Sequence, residues 1–416
     1  MFDGLAPDGS LYIPASIPKL SADFLNKIEQ RTLHEIGVEV AAAFIDEIPR
    51  TELEGIAQRA WSFPIPLVHL EDRIYLLKLF HGPTLAFKDV GAGFMAEVMS
   101  YFLASSKREI TILVATSGDT GSAVAHGFYN IPNISVVVLY PSGKISPLQE
   151  KQITTLGGNI RAIEVKGTFD DCQRMVKQAF ADKELQQNRA LTTANSINIA
   201  RLIPQMVYYF WGMAQLKHAA GSGFEKPVVT VPSGNFGNLT AAMYSKWMGN
   251  PIESFIAATN ANDVVPEYLR TGKFTPRASV QTFSNAMDVG NPSNLARMQA
   301  LYGNNVQQIR DEIEAVSISD QETLEEIRAT YESTGYIADP HTAVGIAATR
   351  KIMGHRSKKP PIIIAATAHP AKFPEVIEKA IGIKVPLPKT LEEAMKWEKK
   401  SILIGNNYEE LKEILQ

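Results

Sequence analysis

An α/β fold built on mainly parallel sheets is what this sequence predicts, on three observations. From Arg73 onward, short apolar runs alternate with longer stretches of helical periodicity, the pattern of strand–helix units. Runs such as Val136-Val137-Val138 and Ile362-Ile363-Ile364 lack the polar alternation of a half-solvated strand, so they suit strands buried on both faces. Small and hydroxyl residues stand directly after several of these runs, where open parallel sheets bind ligands.

The elements follow in order. Residues 1–72 read as a mostly helical segment, with Ser21 as the N-cap of a helix from Ala22 and Val38–Ile48 as a second helix. Strands are expected at Ile74–Phe80, Thr111–Thr116, Ser135–Tyr140, Ile160–Val165, Ala190–Thr193, Pro227–Val231, Phe255–Thr259 and Pro361–Thr367. Helical patterns fill most intervals between them. Arg356-Ser357-Lys358-Lys359 reads as a solvated turn before a strand, and Leu391 to Gln416 as a charged helical tail on the surface.

Composition narrows the function classes. The chain has 416 residues and a formal net charge of -3, with no basic arm, so nucleic acid is not an expected partner. A single cysteine, Cys172, cannot close an intrachain disulfide, which suits a reducing compartment. The opening Met1-Phe2-Asp3-Gly4-Leu5-Ala6-Pro7 lacks the basic and apolar regions of a secretory signal. No apolar run approaches the length of a bilayer span. The expectation is a cytoplasmic protein with no membrane partner. The eight histidines show no metal-binding spacing, so no metal is expected.

Four loops carry chemistry. After Ile74–Phe80 comes His81-Gly82-Pro83-Thr84-Leu85-Ala86-Phe87-Lys88-Asp89-Val90-Gly91. Lys88 stands at a helix start, where the positive end of the dipole and cover by Phe87 favour the neutral amine that attacks a carbonyl. The loop alone also fits a lysine that merely snorkels there. Gly91-Ala92-Gly93-Phe94-Met95-Ala96 matches a dinucleotide fingerprint. No strand leads straight into it, however, and the next strand ends without an acidic ribose ligand, so close helix packing is the reading of these glycines. Ser117-Gly118-Asp119-Thr120-Gly121 leads into a helix and suits a carboxylate, or a plain N-cap. Ser233-Gly234-Asn235-Phe236-Gly237-Asn238 exposes consecutive N–H groups, as an anchored phosphate requires, or is a plain glycine turn. The last strand runs into Thr367-Ala368-His369-Pro370-Ala371-Lys372-Phe373.

Together with Gly4-Leu5-Ala6-Pro7-Asp8-Gly9-Ser10-Leu11-Tyr12-Ile13-Pro14, these segments resemble the threonine synthase family, within the tryptophan-synthase-β-like group of fold type II pyridoxal-phosphate enzymes. The resemblance spans nearly the whole chain. The lysine segment and the Thr367–Phe373 segment are specific to that family; the glycine loops are shared with the wider group. It implies two open twisted sheets, with residues 73–98 and 215–416 forming a large cofactor domain and 99–214 a small one. It also implies pyridoxal 5'-phosphate as cofactor, with Lys88 as its covalent anchor and catalytic base. Gly234, Asn235, Phe236, Gly237 and Asn238 would cradle its phosphate, Thr367 would bond the pyridine nitrogen, and Asp119 would lie beside the ring. Ser117 and Thr120 would hold the substrate carboxylate, and Asn195, Ser196 and Arg201 the substrate phosphate. Asp119 departs from the Asn common in the wider group, and an ionised carboxylate there would repel the phenolic oxygen of the cofactor.

The implied reaction converts O-phospho-L-homoserine and water into L-threonine and phosphate, by γ-elimination and β-addition of water, in a monomer or homodimer. The rivals are a phosphohomoserine lyase or threonine dehydratase giving 2-oxobutyrate, a non-catalytic amino-acid-binding protein, and a dinucleotide oxidoreductase. The phosphate set around Arg201 argues against the dehydratase, and Lys88 against a non-catalytic scaffold.

Overall fold

The computed structural model describes every residue except Lys107, His355, Ser357 and Lys358; half of the expected basic turn therefore lies outside the described residues. Eleven strands are formed among the described residues: β1 Leu67–Glu71, β2 Ile74–Lys78, β3 Ile110–Ala115, β4 Ile134–Pro141, β5 Ile160–Val165, β6 Ala190–Thr192, β7 Val228–Pro232, β8 Phe255–Thr259, β9 Ile313–Ser317, β10 Ile362–Ala366 and β11 Ile402–Ile404. Among the described residues they make a six-stranded sheet, order β1-β2-β10-β7-β8-β9, and a five-stranded sheet, order β11-β5-β4-β3-β6. Among the described strand pairs only the edge pair β1–β2 is antiparallel.

Burial on both faces explains the uninterrupted apolar runs. Successive strand residues point to opposite sides: Ile362 and Ile364 enter one core, and Ile363 and Ala365 the other. The small sheet repeats this, with Val136 and Val138 on one side and Val137 and Leu139 on the other. Each buried Val, Leu or Ile among them contributes about 1.5–3 kcal/mol relative to exposure.

Strand order sets up the site. β10 lies between β2 and β7, with Ile362 opposite Ile74 on one side and Val228 on the other. The loops leaving the carboxyl ends of these three strands are therefore neighbours: the lysine loop, the Thr367 loop and the Ser233–Asn238 loop. In the small sheet β3 lies beside β6, which brings the Ser117 loop next to Asn195.

The helical segment at the start covers the lysine helix, Lys88–Leu103. Trp61 is buried, stacks on Phe94 at 5.1 Å between centroids, and donates its indole N–H to Val90 O at 3.1 Å. Gly37 makes room for it: a Cβ there would stand 2.0 Å from Trp61 Cζ3. Gly37→Ala is expected to lower the unfolding free energy by about 1–3 kcal/mol through overpacking. Urea denaturation monitored by far-UV circular dichroism checks it.

Several boundaries differ from expectation. The helix expected at Val38–Ile48 runs from Leu33 to Ala42, started by a capping box between Thr32 and Glu35. Strands β1, β9 and β11 are additional. β1 comes from within residues 1–72 yet joins the large sheet, and β11 comes from within 215–416 yet pairs with β5 of the small sheet. The tail is therefore two helices, Lys389–Lys396 and Tyr408–Leu415, separated by a short edge strand. Leu411 and Leu415 pack into the core of the small sheet, so the tail is structural rather than a loose surface helix.

Candidate active site

The lysine loop is folded by its own aspartate. Asp89 accepts from Thr84 N–H at 2.8 Å and Thr84 Oγ1 at 2.6 Å, and burial pushes its carboxyl up to about 6 against these bonds. Leu85 takes a left-handed φ of 59°, local strain of the kind found where loops are held for function. Phe87 N–H then reaches Thr367 O at 2.8 Å, which joins the lysine loop to the end of β10. Lys88 opens its helix half-buried. Its Nζ makes no hydrogen bond or ion pair with a described residue, and the Phe87 ring centre lies 5.8 Å away. Desolvation first, then the cations Lys372 and Arg201, bring the amine down to about 8, although Asp119 acts in the opposite direction.

The next loop lies across the cleft. Thr116 Oγ1 accepts from Gly118 N–H at 2.9 Å and Gly121 N–H at 2.8 Å, which turns the chain into the helix Asp119–Gly127. Gly118 adopts φ 130°, a conformation that only glycine reaches freely. Asp119 is buried. Burial opposes its charge, but Lys372, Lys88 and His341 outweigh that cost and hold the carboxyl well below the usual range. Ser117 and Thr120 are half-buried.

The Ser233–Asn238 loop has the features of an anion cradle. Phe236 is left-handed at φ 61°, and a Cβ on Gly234 would strike the Met287 backbone at 2.6 Å. The N–H groups of residues 234–239 have no partner among the described residues. Asn238 Oδ1 accepts from both Tyr208 and Tyr209 hydroxyls, so its amide N–H₂ points away from them, buried and unpaired. Buried donors left without acceptors cost about 1–3 kcal/mol each; here they converge at a helix N-terminus, where a phosphate would satisfy them.

The two sheets meet at the third group. Asn195 Nδ2 donates to Ala115 O at 3.1 Å. Ser196 Oγ accepts from Asn235 Nδ2 at 2.7 Å, a direct link to the cradle. Arg201 is buried, with Nη1 on Ala194 O at 2.5 Å and Nη2 on Lys88 O at 3.3 Å. Desolvation brings its guanidinium down to about 10, so it stays cationic at neutral pH, and its Nε is buried without a partner. Gly91, from the fingerprint-like run, gives Arg201 its space: a Cβ there would lie 3.0 Å from Nε.

The loops at the carboxyl ends of the two sheets are thus joined around one cleft, by Phe87 N–H on Thr367 O, Asn195 on Ala115 O, Asn235 on Ser196 Oγ and Arg201 on Lys88 O. Several others that line or support it carried no distinct signal. Lys372, Gln149, Gln152, Tyr208, Tyr209 and Asn294 all bond to one of its loops. Only Lys372 fell within a segment already noted.

A model of pyridoxal-phosphate dependent enzymes matches residues 62–367, flanked by matches to the threonine synthase N terminus at 1–61 and the threonine synthase C-terminal region at 342–415. Threonine synthase of Haemophilus influenzae is 47% identical over 390 residues, covering 94% of this chain and 89% of that one. The chain belongs to the threonine synthase family. The crystal structure of threonine synthase from Escherichia coli superimposes with a TM-score of 0.92 at 41% identity, covering 100% of this chain and 95% of that one. The PLP-bound threonine synthase from Brucella melitensis gives 0.92 at 35% identity, covering 100% and 94%. Like its threonine synthase relatives, the chain is a fold type II enzyme dependent on pyridoxal 5'-phosphate, and its reaction turns O-phospho-L-homoserine and water into L-threonine and phosphate. Among the described residues no helix is long and apolar enough to cross a membrane.

Proposed function

We propose that Lys88 is the covalent anchor of the cofactor and the proton carrier of the threonine synthase reaction, with the remaining cleft residues in the roles read from the sequence. One observation carries this reading: an amine desolvated at a helix start, lowered to about 8 and joined to no partner among the described residues. A lysine held in this way is poised as nucleophile and base at neutral pH.

Bound pyridoxal phosphate would supply the electron sink for charge developing at the substrate. The N–H groups of Gly234 to Asn238 and the Asn238 amide suit its phosphate, and the buried Thr367 hydroxyl, which has no described partner, suits the pyridine nitrogen. Such a neutral hydroxyl does not stabilise a protonated ring nitrogen as a carboxylate would. Ser117, Thr120 and the helix start behind them suit the substrate carboxylate. Asn195, Ser196 and Arg201 lie around the substrate phosphate in this reading. The charge of Arg201, fixed beneath Lys88, stabilises the negative charge that grows on the departing phosphate. Lys88 removes the Cα proton and returns protons within reach of its flexible stem. The large and small domains of the expected division, with the tail strand β11 counted to the small one, close over the substrate so that water enters late.

We read the protein as a cytoplasmic monomer or homodimer acting on a small anionic substrate, without nucleic acid or membrane. Borohydride treatment of the cofactor-loaded protein, followed by peptide mapping, tests the anchor. The pyridoxyl group is expected on Lys88; finding it on Lys372, the other lysine buried in the cleft, would contradict the assignment.

A further inference from the structure

The roles above leave the buried charge of Lys372 unused. Lys372 is fully buried in the short turn Pro370–Lys372 after β10. Its Nζ pairs with Asp119 Oδ1 at 2.6 Å and donates to Thr84 O at 2.8 Å. Gln149 Nε2 donates to the same Asp119 oxygen at 3.0 Å, and Gln152 Nε2 to the same Thr84 carbonyl at 3.1 Å. Four segments thus converge on one ion pair: the turn after β10, the lysine loop, the helix after β3 and the helix Pro147–Thr154. The pair joins the large sheet to the small one and holds the lysine loop through Thr84 O.

The charged groups facing Lys88 are Asp119, Lys372 and Arg201. Those facing Asp119 are Lys372, Lys88 and His341, and Asp89 on the lysine helix also feels Lys372. Among the described residues, Asp119 is the anion that acts on the Lys88 amine. Left alone in this water-poor cleft, it would bind Lys88 as an ammonium ion, which cannot attack an aldehyde. A removed partner leaves the other charge of a buried pair uncompensated, and that charge then takes the nearest counter-ion. Lys372 is that counter-ion in the structure, with its Nζ 2.6 Å from Asp119 Oδ1.

We propose that Lys372 is a positioning residue of the active site: it neutralises Asp119, so that the carboxylate can stand beside the cofactor ring without holding Lys88 in its charged, unreactive form. The inference rests on the reading of Lys88 as the reactive amine. It also accounts for an aspartate at 119, because the Asp119–Lys372 pair as a unit is as neutral as an asparagine.

The test follows the capture of pyridoxal phosphate by the apoprotein across pH 6–10. The amine condenses with the aldehyde and releases one water; borohydride and peptide mapping identify the lysine joined. In the wild type, capture is expected to rise with a midpoint near about 8, the value of the Lys88 amine. In Lys372→Met the midpoint is expected to move up by about one pH unit or more, making capture about tenfold slower at pH 7. In Asp119→Asn/Lys372→Met, which removes both charges, it returns toward the wild-type position. A Lys372→Met profile at the wild-type midpoint, with the label on Lys88, overturns the proposal. Should the single variant fail to fold, the double variant decides, since it leaves no unpaired charge. A midpoint displaced upward there would mean that Lys372 acts by its own charge and not by neutralising Asp119, which equally overturns the proposal. A label absent from Lys88 in the wild type would instead remove the reading on which it rests.

Discussion

Lys88→Ala lowers kcat for threonine formation by about 10⁴-fold, the upper range for loss of a positioned acid–base group, and abolishes borohydride labelling. The size follows from two losses at one atom. In the proposed role the amine joins the cofactor and also carries the proton between substrate carbons, and no neighbour is free to replace it. Arg201 and Lys372 are the other cations near it, and both are bound: one on Ala194 O and Lys88 O, the other on Asp119 and Thr84 O. The phosphate cradle is untouched, so the variant still binds pyridoxal phosphate non-covalently, and dialysis removes it faster than from the wild type. Steady-state assay of threonine and phosphate release checks the rate. A residual kcat above about one hundredth of wild type would assign the proton transfers elsewhere.

Arg201→Ala is expected to cost about 10²–10³-fold in kcat/KM, the scale for removing one preorganised donor from a developing anion. Arg201→Lys recovers little of this, because an ammonium cannot make the two divergent bonds of the fork. A stability loss of about 1–3 kcal/mol accompanies the alanine change, since the carbonyls of Ala194 and Lys88 lose a buried partner. Inhibition by inorganic phosphate separates the two consequences. If Arg201 stabilises the substrate phosphate, phosphate binds the variant at least about tenfold more weakly. A purely structural arginine would lower stability and kcat while leaving phosphate inhibition unchanged.

Much of the fold was legible because parallel strands buried on both faces write themselves as unbroken apolar runs. β3, β4, β5, β7, β8 and β10 all lie within a residue or so of expectation. The strands that escaped lack that signature. β1 carries the exposed His69 between Val68 and Leu70, β9 carries Glu314, and β11 is a three-residue edge strand whose first two residues face solvent. The displaced second helix had a usable signal, the Thr32-x-x-Glu35 capping box, which apolar content from Val38 onward obscured. In the cleft, residues on loops after strands were readable because strand ends are where such sheets bind ligands. Lys372 was not readable in its role. A lysine beside Pro370 and Phe373 looks like any surface lysine until the fold brings Asp119, from the other sheet, to within 2.6 Å of it. Tyr208 and Tyr209 likewise sit in the helix Ile203–Ala220, where aromatic residues at helical spacing read as core; only their shared bond to Asn238 connects them to the cradle.

The central claim, that this cleft exchanges phosphate at Cγ for water at Cβ, is tested most directly by turning over O-phospho-L-homoserine in ¹⁸O-water. The account predicts L-threonine with one ¹⁸O in its β-hydroxyl and one unlabelled phosphate for each threonine, because the bond that breaks is Cγ–O. Homoserine with ¹⁸O-phosphate, or 2-oxobutyrate with ammonia as the main products, would contradict it.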